Sequence, residues 1–177
     1  MKGALIKIDE AVITSAVASV DLGGVNWDDS YDVYKLVWSN LQVDTDIRGI
    51  HFRVLDTSNN PITTANYDVA QRVMRQDTTY EASYANGQTI GYLVDNYLGT
   101  AAGEVANGEN YLFNWNETTD FSSWTTCTVY QNNTGVLRSM NGGGVLDLTA
   151  AHKGVRVFLL AGGNLSGGTI TLYGLRK

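Results

Sequence analysis

The segment from Gly162 to Lys177 constrains the fold more than any other part of the chain. Gly162-Gly163-Asn164-Leu165-Ser166-Gly167-Gly168 is a glycine-rich turn. It feeds the run Thr169-Ile170-Thr171-Leu172-Tyr173-Gly174-Leu175-Arg176-Lys177. Ile170, Leu172 and Gly174 fall on one side of that run, and Thr169, Thr171, Tyr173 and Leu175 on the other. A period of two, rich in Thr, Ile and Tyr and opened by glycine, is a strand signature. The segment is therefore expected to be pinned into a sheet. The chain has 19 glycines and one proline, which suits many tight turns between short strands.

Strand signals recur along the chain at a spacing of roughly 10–15 residues, which is the pattern of a sandwich or jelly roll. Residues 5–8 read as a short strand, and Ala16, Ala18, Val20 and Leu22 alternate up to Gly23-Gly24. Residues 31–40 form the strongest strand pattern. Tyr34, Leu36 and Trp38 share one face and Tyr31, Val33, Lys35 and Val37 the other, so this strand is expected at the centre of a sandwich. Residues 47–56 place Ile50, Phe52 and Val54 together, with His51 and Arg53 on the opposite face, and Pro61 bars continuation. Residues 67–80 fit either a helix or a strand, and the strands around them favour strand. Asn86-Gly87 reads as a sharp turn, residues 89–98 as a strand and Ala106-Asn107-Gly108-Glu109 as a turn. Residues 110–115 and 124–131 read as strands around a polar turn at 116–120. Asn141-Gly142-Gly143-Gly144 reads as a loose loop. Residues 155–160 read as a buried strand, with which the C-terminal strand is expected to pair.

A length of 177 residues suits one domain, residues 1–177, around one core. Charged residues make up 17% of the chain and the formal net charge is −6. This composition disfavours nucleic acid, whose affinity rests on Lys and Arg, and disfavours an anionic membrane surface. A surface short of charge must be rich in Asn, Thr, Ser and Gln, which a partner covers more cheaply than it covers ions. Cys127 is alone, which excludes an internal disulfide, and its expected place is the interior. The first ten residues turn polar too early for a secretory signal, and no apolar run reaches the roughly 18 residues of a membrane-spanning helix. Synthesis and folding are therefore expected in a cytosol.

The chemistry-bearing residues form no recognisable machinery. His51 and His152 are far apart in sequence, and no Gly-x-Ser-x-Gly elbow accompanies them. His51 is expected to be structural and His152 to be a solvated turn residue. Asp28-Asp29 and Asp44-Thr45-Asp46 are Asp-rich turns without the spacing of a calcium loop. Glu104, Glu109 and Asp120 could supply a carboxylate pair only if folding brought two of them to a glycosidase separation. Glycines 142–144 and 162–168 lack the Lys-Ser/Thr and the helix of a phosphate loop. No catalytic, cofactor-binding or metal residue is assigned, and no enzyme is expected. The aromatic residues are the remaining candidates. Trp38 is expected in the core. Trp27, Tyr80, Tyr84, Trp115 and Trp124 lie in or beside polar stretches, where exposed rings would stack on sugars or anchor an interface and where core burial is the competing fate.

Three stretches taken in order carry a resemblance. The first is residues 16–22 followed by Asp29-Ser30-Tyr31-Asp32-Val33-Tyr34-Lys35-Leu36-Val37. The second is Tyr111-Leu112-Phe113-Asn114 through Phe121-Ser122-Ser123-Trp124-Thr125. The third is Val155-Arg156-Val157-Phe158, its glycine-rich turn, and Thr169-Ile170-Thr171-Leu172-Tyr173-Gly174-Leu175. The order resembles a group of β-rich structural proteins of tailed-bacteriophage virions, and the resemblance spans nearly the whole chain. It implies an accessory virion protein: a capsid decoration or cement protein, a head fibre, or a tail-fibre or collar component. The resulting expectation is an all-β, antiparallel β-sandwich of jelly-roll type with no enzymatic activity and no cofactor. It would form a homo-trimer, bind the major capsid protein or other virion proteins, and be located in the virion. The alternative is a tail-associated fibre, collar or spike module that binds a receptor or a host surface glycan through exposed Trp and Tyr side chains, with adsorption expected to be lost when Trp115 or Trp124 becomes Ala.

Overall fold

The computed structural model describes residues 4–77 and 80–176. Among them, twelve strands form two antiparallel sheets packed face to face. They are β1 (Ala4–Ile13), β2 (Ser19–Gly23), β3 (Val33–Val43), β4 (Arg48–Leu55), β5 (Tyr67–Arg75), β6 (Tyr80–Gln88), β7 (Gly91–Leu98), β8 (Ala106–Phe113), β9 (Ser122–Gln131), β10 (Leu137–Leu146), β11 (Gly154–Phe158) and β12 (Leu165–Arg176). The larger sheet runs β1-β12-β3-β8-β9-β10-β5-β6 and the smaller β2-β11-β4-β7. The pairs β1·β12, β2·β11, β3·β8 and β4·β7 are nested one inside the next. Strands β9, β10, β5 and β6 extend the larger sheet beyond β8. Residues 67–75 are thus a strand, as their neighbours suggested.

The alternation in the sequence decides which side chains meet between the sheets. Tyr34, Leu36 and Trp38 of β3, Ile170 and Leu172 of β12, and Leu112 of β8 are buried against Phe52 and Val54 of β4 and Val155 and Val157 of β11. Strand β3 is interior to its sheet, but only one of its faces is buried, because Val33, Lys35 and Val37 remain half-exposed. Burying a Leu, Ile or Phe side chain stabilises by about 1.5–3 kcal/mol, so this shared row dominates the stability of the fold.

Four expectations from the sequence are corrected. The C-terminal strand does not pair with residues 155–160. It lies between β1 and β3, while β11 lies between β2 and β4 in the other sheet. The turn at Gly162-Gly163 carries the chain across the sandwich, and Asp44 anchors it by accepting from the backbone N and Nδ2 of Asn164, both at 2.7 Å. Residues 141–144 are not a loop but the middle of β10, paired on both sides. A Cβ at Gly144 would overlap the Trp124 ring, and one at Gly142 would overlap Gln71. The glycines are there so that large neighbours can lie over the strand. Residues 106–109 open β8 for the same reason: a Cβ on Gly108 would stand 2.5 Å from Cζ2 of Trp38. Asn86-Gly87 is an irregularity inside β6, not a hairpin turn, and Gly87 N donates to Asp68 Oδ1 at 2.7 Å.

A prediction follows at Gly108. Gly108→Ala is expected to destabilise by about 1–3 kcal/mol, because the methyl group must displace Trp38 or the backbone of β9. An unchanged urea midpoint would show that the indole does not rest on this strand.

Candidate interaction surface

The smaller sheet covers one face of the larger, which leaves the other face of the eight-stranded sheet turned outward. The cross-strand register identifies its members. Tyr173 lies opposite both Lys7 and Lys35, Lys35 opposite Tyr111, Tyr111 opposite Thr125, and Thr125 opposite Gly143. The row beside it runs Thr171, Val37, Glu109, Cys127 and Asn141 to Arg72. Phe113, Val129, Leu175 and Leu5 add apolar area, and the last three are among the exposed large hydrophobic side chains. Tyr111 and Phe113 stack at 6.4 Å between centroids.

The electrostatics of this face differ from those of the whole chain. Among the described residues it carries three basic side chains, Lys7, Lys35 and Arg72, and three acidic ones, Glu10, Asp68 and Glu109. Two ion pairs absorb most of that charge. Lys35 Nζ lies 2.6 Å from Glu109 Oε2, and Lys7 Nζ lies 3.2 Å from Glu10 Oε1. Lys35 also sits 4.8 Å from the centre of the Tyr111 ring. The face is balanced while the chain as a whole stands at −6, so the acidic excess lies elsewhere. A broad, neutral and partly aromatic sheet face is easier to desolvate than the rest of such a surface.

The candidate aromatics separate into two groups. Trp115 and Trp124 are core residues, 0% and 3% exposed. Trp124 packs edge-on to Phe52 at 5.2 Å, and Trp115 lies 6.1 Å from His152 and from Trp27. Core burial is thus the outcome for both; on β9 the alternation turns Trp124 inward and Thr125 to solvent, and Trp115 is buried from the turn after β8. Trp27 is half-buried, stacked on Tyr34 at 4.0 Å, and its Nε1 donates to Asn116 Oδ1. Asn116 Nδ2 in turn donates to Asp29 O, Tyr31 O and Tyr34 Oη. That loop is held by one amide. Tyr84 alone is prominent, at 82% exposure, while the side chain of Tyr80 lies outside the described residues.

Two further expectations are corrected. His152 is not solvated. It is 1% exposed, neither ring nitrogen finds a hydrogen-bond partner among the described residues, and its burial holds its pKa down to about 4. Its neighbours Trp115 and Leu55 explain this, since backbone bonds from His152 N to Trp115 O and from Lys153 N to Leu55 O draw the turn inward. Cys127 is exposed rather than buried. On β9 the inward row is Trp124, Thr126, Thr128 and Tyr130, and Thr128 Oγ1 donates to Leu93 O at 2.6 Å. Two threonines took the inward positions because the neighbouring strand β7 offers carbonyls to them.

The carboxylates serve loops and surface pairs. Glu104 Oε2 accepts from Ala101 N, Glu109 pairs with Lys35, and Asp120 is exposed on the 116–120 turn. Asp28 accepts from Ser30 N, and Asp46 from the N and Oγ1 of Thr100. Among the described residues, no three His, Cys, Asp or Glu side chains are grouped to hold a metal ion. Comparison with protein-family models, with curated proteins and with solved structures finds no match.

Proposed function

We propose that this chain is a non-enzymatic accessory protein of a tailed-bacteriophage virion, one that binds the outer capsid and reinforces or decorates it. The observation that carries the reading is the outward face of the eight-stranded sheet, broad, balanced in charge and partly aromatic on an otherwise acidic molecule. Its function would be adhesion: contacts spread over neighbouring capsomers stabilise the assembled shell by mass action, without chemistry. The ordered resemblance to phage virion proteins supports the same reading. The nested strand pairing supports the jelly-roll form of the sandwich, an architecture common in capsid domains. Of the rings the glycan alternative draws on, Trp115 and Trp124 lie in the core and Tyr84 stays exposed, and no concave cluster of exposed rings surrounds Tyr84 among the described residues.

The test is immunogold labelling of intact particles with antibody to this protein. Gold spread over the head is the expected result, and gold confined to the tail would overturn the capsid assignment. A surface variant sharpens it. Thr125→Glu with Val129→Glu puts two charges on the outward face at exposed positions. It is expected to leave the circular dichroism unchanged and to weaken binding to purified shells about tenfold or more. Unchanged binding would remove this face from the interaction.

A further inference from the structure

The four sheet edges are not alike. An edge strand presents backbone donors and acceptors to any passing strand, and proteins guard such edges with charges, bulges, short strands or covering groups. Edge β1 carries Lys7, Asp9 and Glu10 and an irregularity between Lys7 and Asp9. Edge β2 has five residues, with Asp21 locked to Arg156. Edge β7 is irregular against β4, and its Leu93 carbonyl accepts from Thr128. Edge β6 has nine residues, no proline and no basic residue. Its one acid, Glu81, has its charge taken up by Arg75 at 2.7 Å and Arg138 at 2.6 Å. Its only irregularity lies at the far end, near Asn86-Gly87.

We infer that β6 is a self-pairing edge, on which a second copy of this chain adds its own β6 antiparallel about a two-fold axis. Tyr84 projects from the outward face, and beside it on the same face is a largely apolar hollow of about 540 Å³ whose lining includes Ala70, Arg72, Met74, Ala82 and Asn141. Its floor is low because Ala70 and the Gly143 opposite it carry little side chain, and Tyr84, opposite Ala70 on the other side, lines one wall. With the two-fold at Ser83, each Tyr84 stands opposite the partner copy's Ala82. Residues opposite each other on an antiparallel pair are within side-chain contact. Ala82 is itself opposite Arg72, so the incoming ring lies across Ala82 towards a guanidinium and the Met74 thioether. A guanidinium favours the electron-rich face of an aromatic ring and a thioether sulfur its edge.

This complementarity commits the edge to a second copy. An isologous interface needs one patch to carry both the projection and the recess, so that residue i meets j and j meets i. Tyr84 and the hollow beside Ala82 meet that need two positions apart on one strand. The pairing is independent of the virion reading, and its symmetry is two-fold, not the threefold expected from the resemblance.

Light scattering of the purified chain tests it at micromolar concentration. The expected mass is twice the 19.3 kDa of the chain. Tyr84→Lys is expected to halve the mass without loss of folded structure, since the side chain is exposed, and Tyr84→Phe to keep the dimer. Amide exchange over residues 81–85 is expected to be slow in the wild type and fast in Tyr84→Lys. A wild-type mass of one or three chains would overturn the inference, as would a Tyr84→Lys protein that keeps the wild-type mass. A monomer that gains protection over 81–85 only on purified shells would assign the edge to a strand of the capsid and would also overturn it.

Discussion

Acidification from pH 7 to pH 4 is expected to remove roughly 6 kcal/mol of folding stability through two histidines, most of it above pH 5, before the carboxylates titrate. Both histidines are buried. His51 is enclosed by Tyr92 and Phe158, and its Nδ1 has no hydrogen-bond partner among the described residues. Burial, with help from the nearby positive charge of Arg53, lowers its pKa to about 4. Burial also lowers that of His152 to about 4, against a weak opposing pull from Asp56. In the unfolded chain both return to about 6.5. Above pH 6.5 the imidazoles are neutral in both states, and this stability is fully present. Between pH 6.5 and 4 the unfolded chain binds up to two more protons than the folded one, so stability falls as pH falls. Each site contributes about 3 kcal/mol over that window. The depressed carboxylates of Asp28, Asp44, Asp77 and Glu81 add to the loss further down. Asp95, whose pKa burial raises, opposes it. Urea unfolding at pH 7.5, 6.5, 5.5 and 4.5 measures the slope. His51→Phe with His152→Leu should flatten it above pH 5, where few carboxylates titrate. A wild-type stability constant between pH 7 and pH 5 would show that the imidazoles find partners in solution.

Arg138→Ala is expected to destabilise by about 3–5 kcal/mol. Arg138 is 1% exposed on β10, yet it carries a charge. Its guanidinium lies 2.6 Å from Glu81 on β6 and 3.6 Å from Asp95 on β7, over the ring of Tyr97 at 4.8 Å. It therefore ties the edge of the extension to the smaller sheet. Truncation leaves the half-buried Asp95 carboxylate without its counter-ion, and that abandoned charge costs more than the pair itself contributed. Glu81 is better protected, since Arg75 also holds it. Arg138→Met combined with Asp95→Leu removes both charges and keeps the volume, so it should recover most of the loss. A double variant no more stable than Arg138→Ala, or a single variant costing under about 1 kcal/mol, would show that water reaches the pair.

Local pattern made the strands legible where one row is apolar and the other is not. Tyr34, Leu36 and Trp38 on β3, and Ile170 and Leu172 on β12, needed nothing beyond a period of two. The same rule erred on β9, where Cys127 and Val129 are more apolar than the threonines that point inward. Hydroxyl groups can be buried when a carbonyl is within reach, and that carbonyl belongs to β7, 35 residues earlier in sequence. Glycine misled in the same way. Glycines 142–144 signal a loop to anyone reading locally, but here they make room for Trp124 and Gln71 on adjoining strands. The candidate surface was hidden for a similar reason: its balance of charge joins Lys35 to Glu109 and Lys7 to Glu10 across a face assembled from eight strands.

Alternation, glycine turns and sparse charge are written along the chain, and they determined an all-β sandwich and which side of most strands is buried. They could not say which strand lies beside which, because a period of two defines a face and carries no information about a neighbour. The placement of β12 between β1 and β3 was decided only when distant segments met. So were the burial of His152, Trp115 and Arg138, the exposure of Cys127 and Tyr84, and the unguarded edge of β6. Burial and pairing are properties of two surfaces at once, and one segment of sequence describes only one of them.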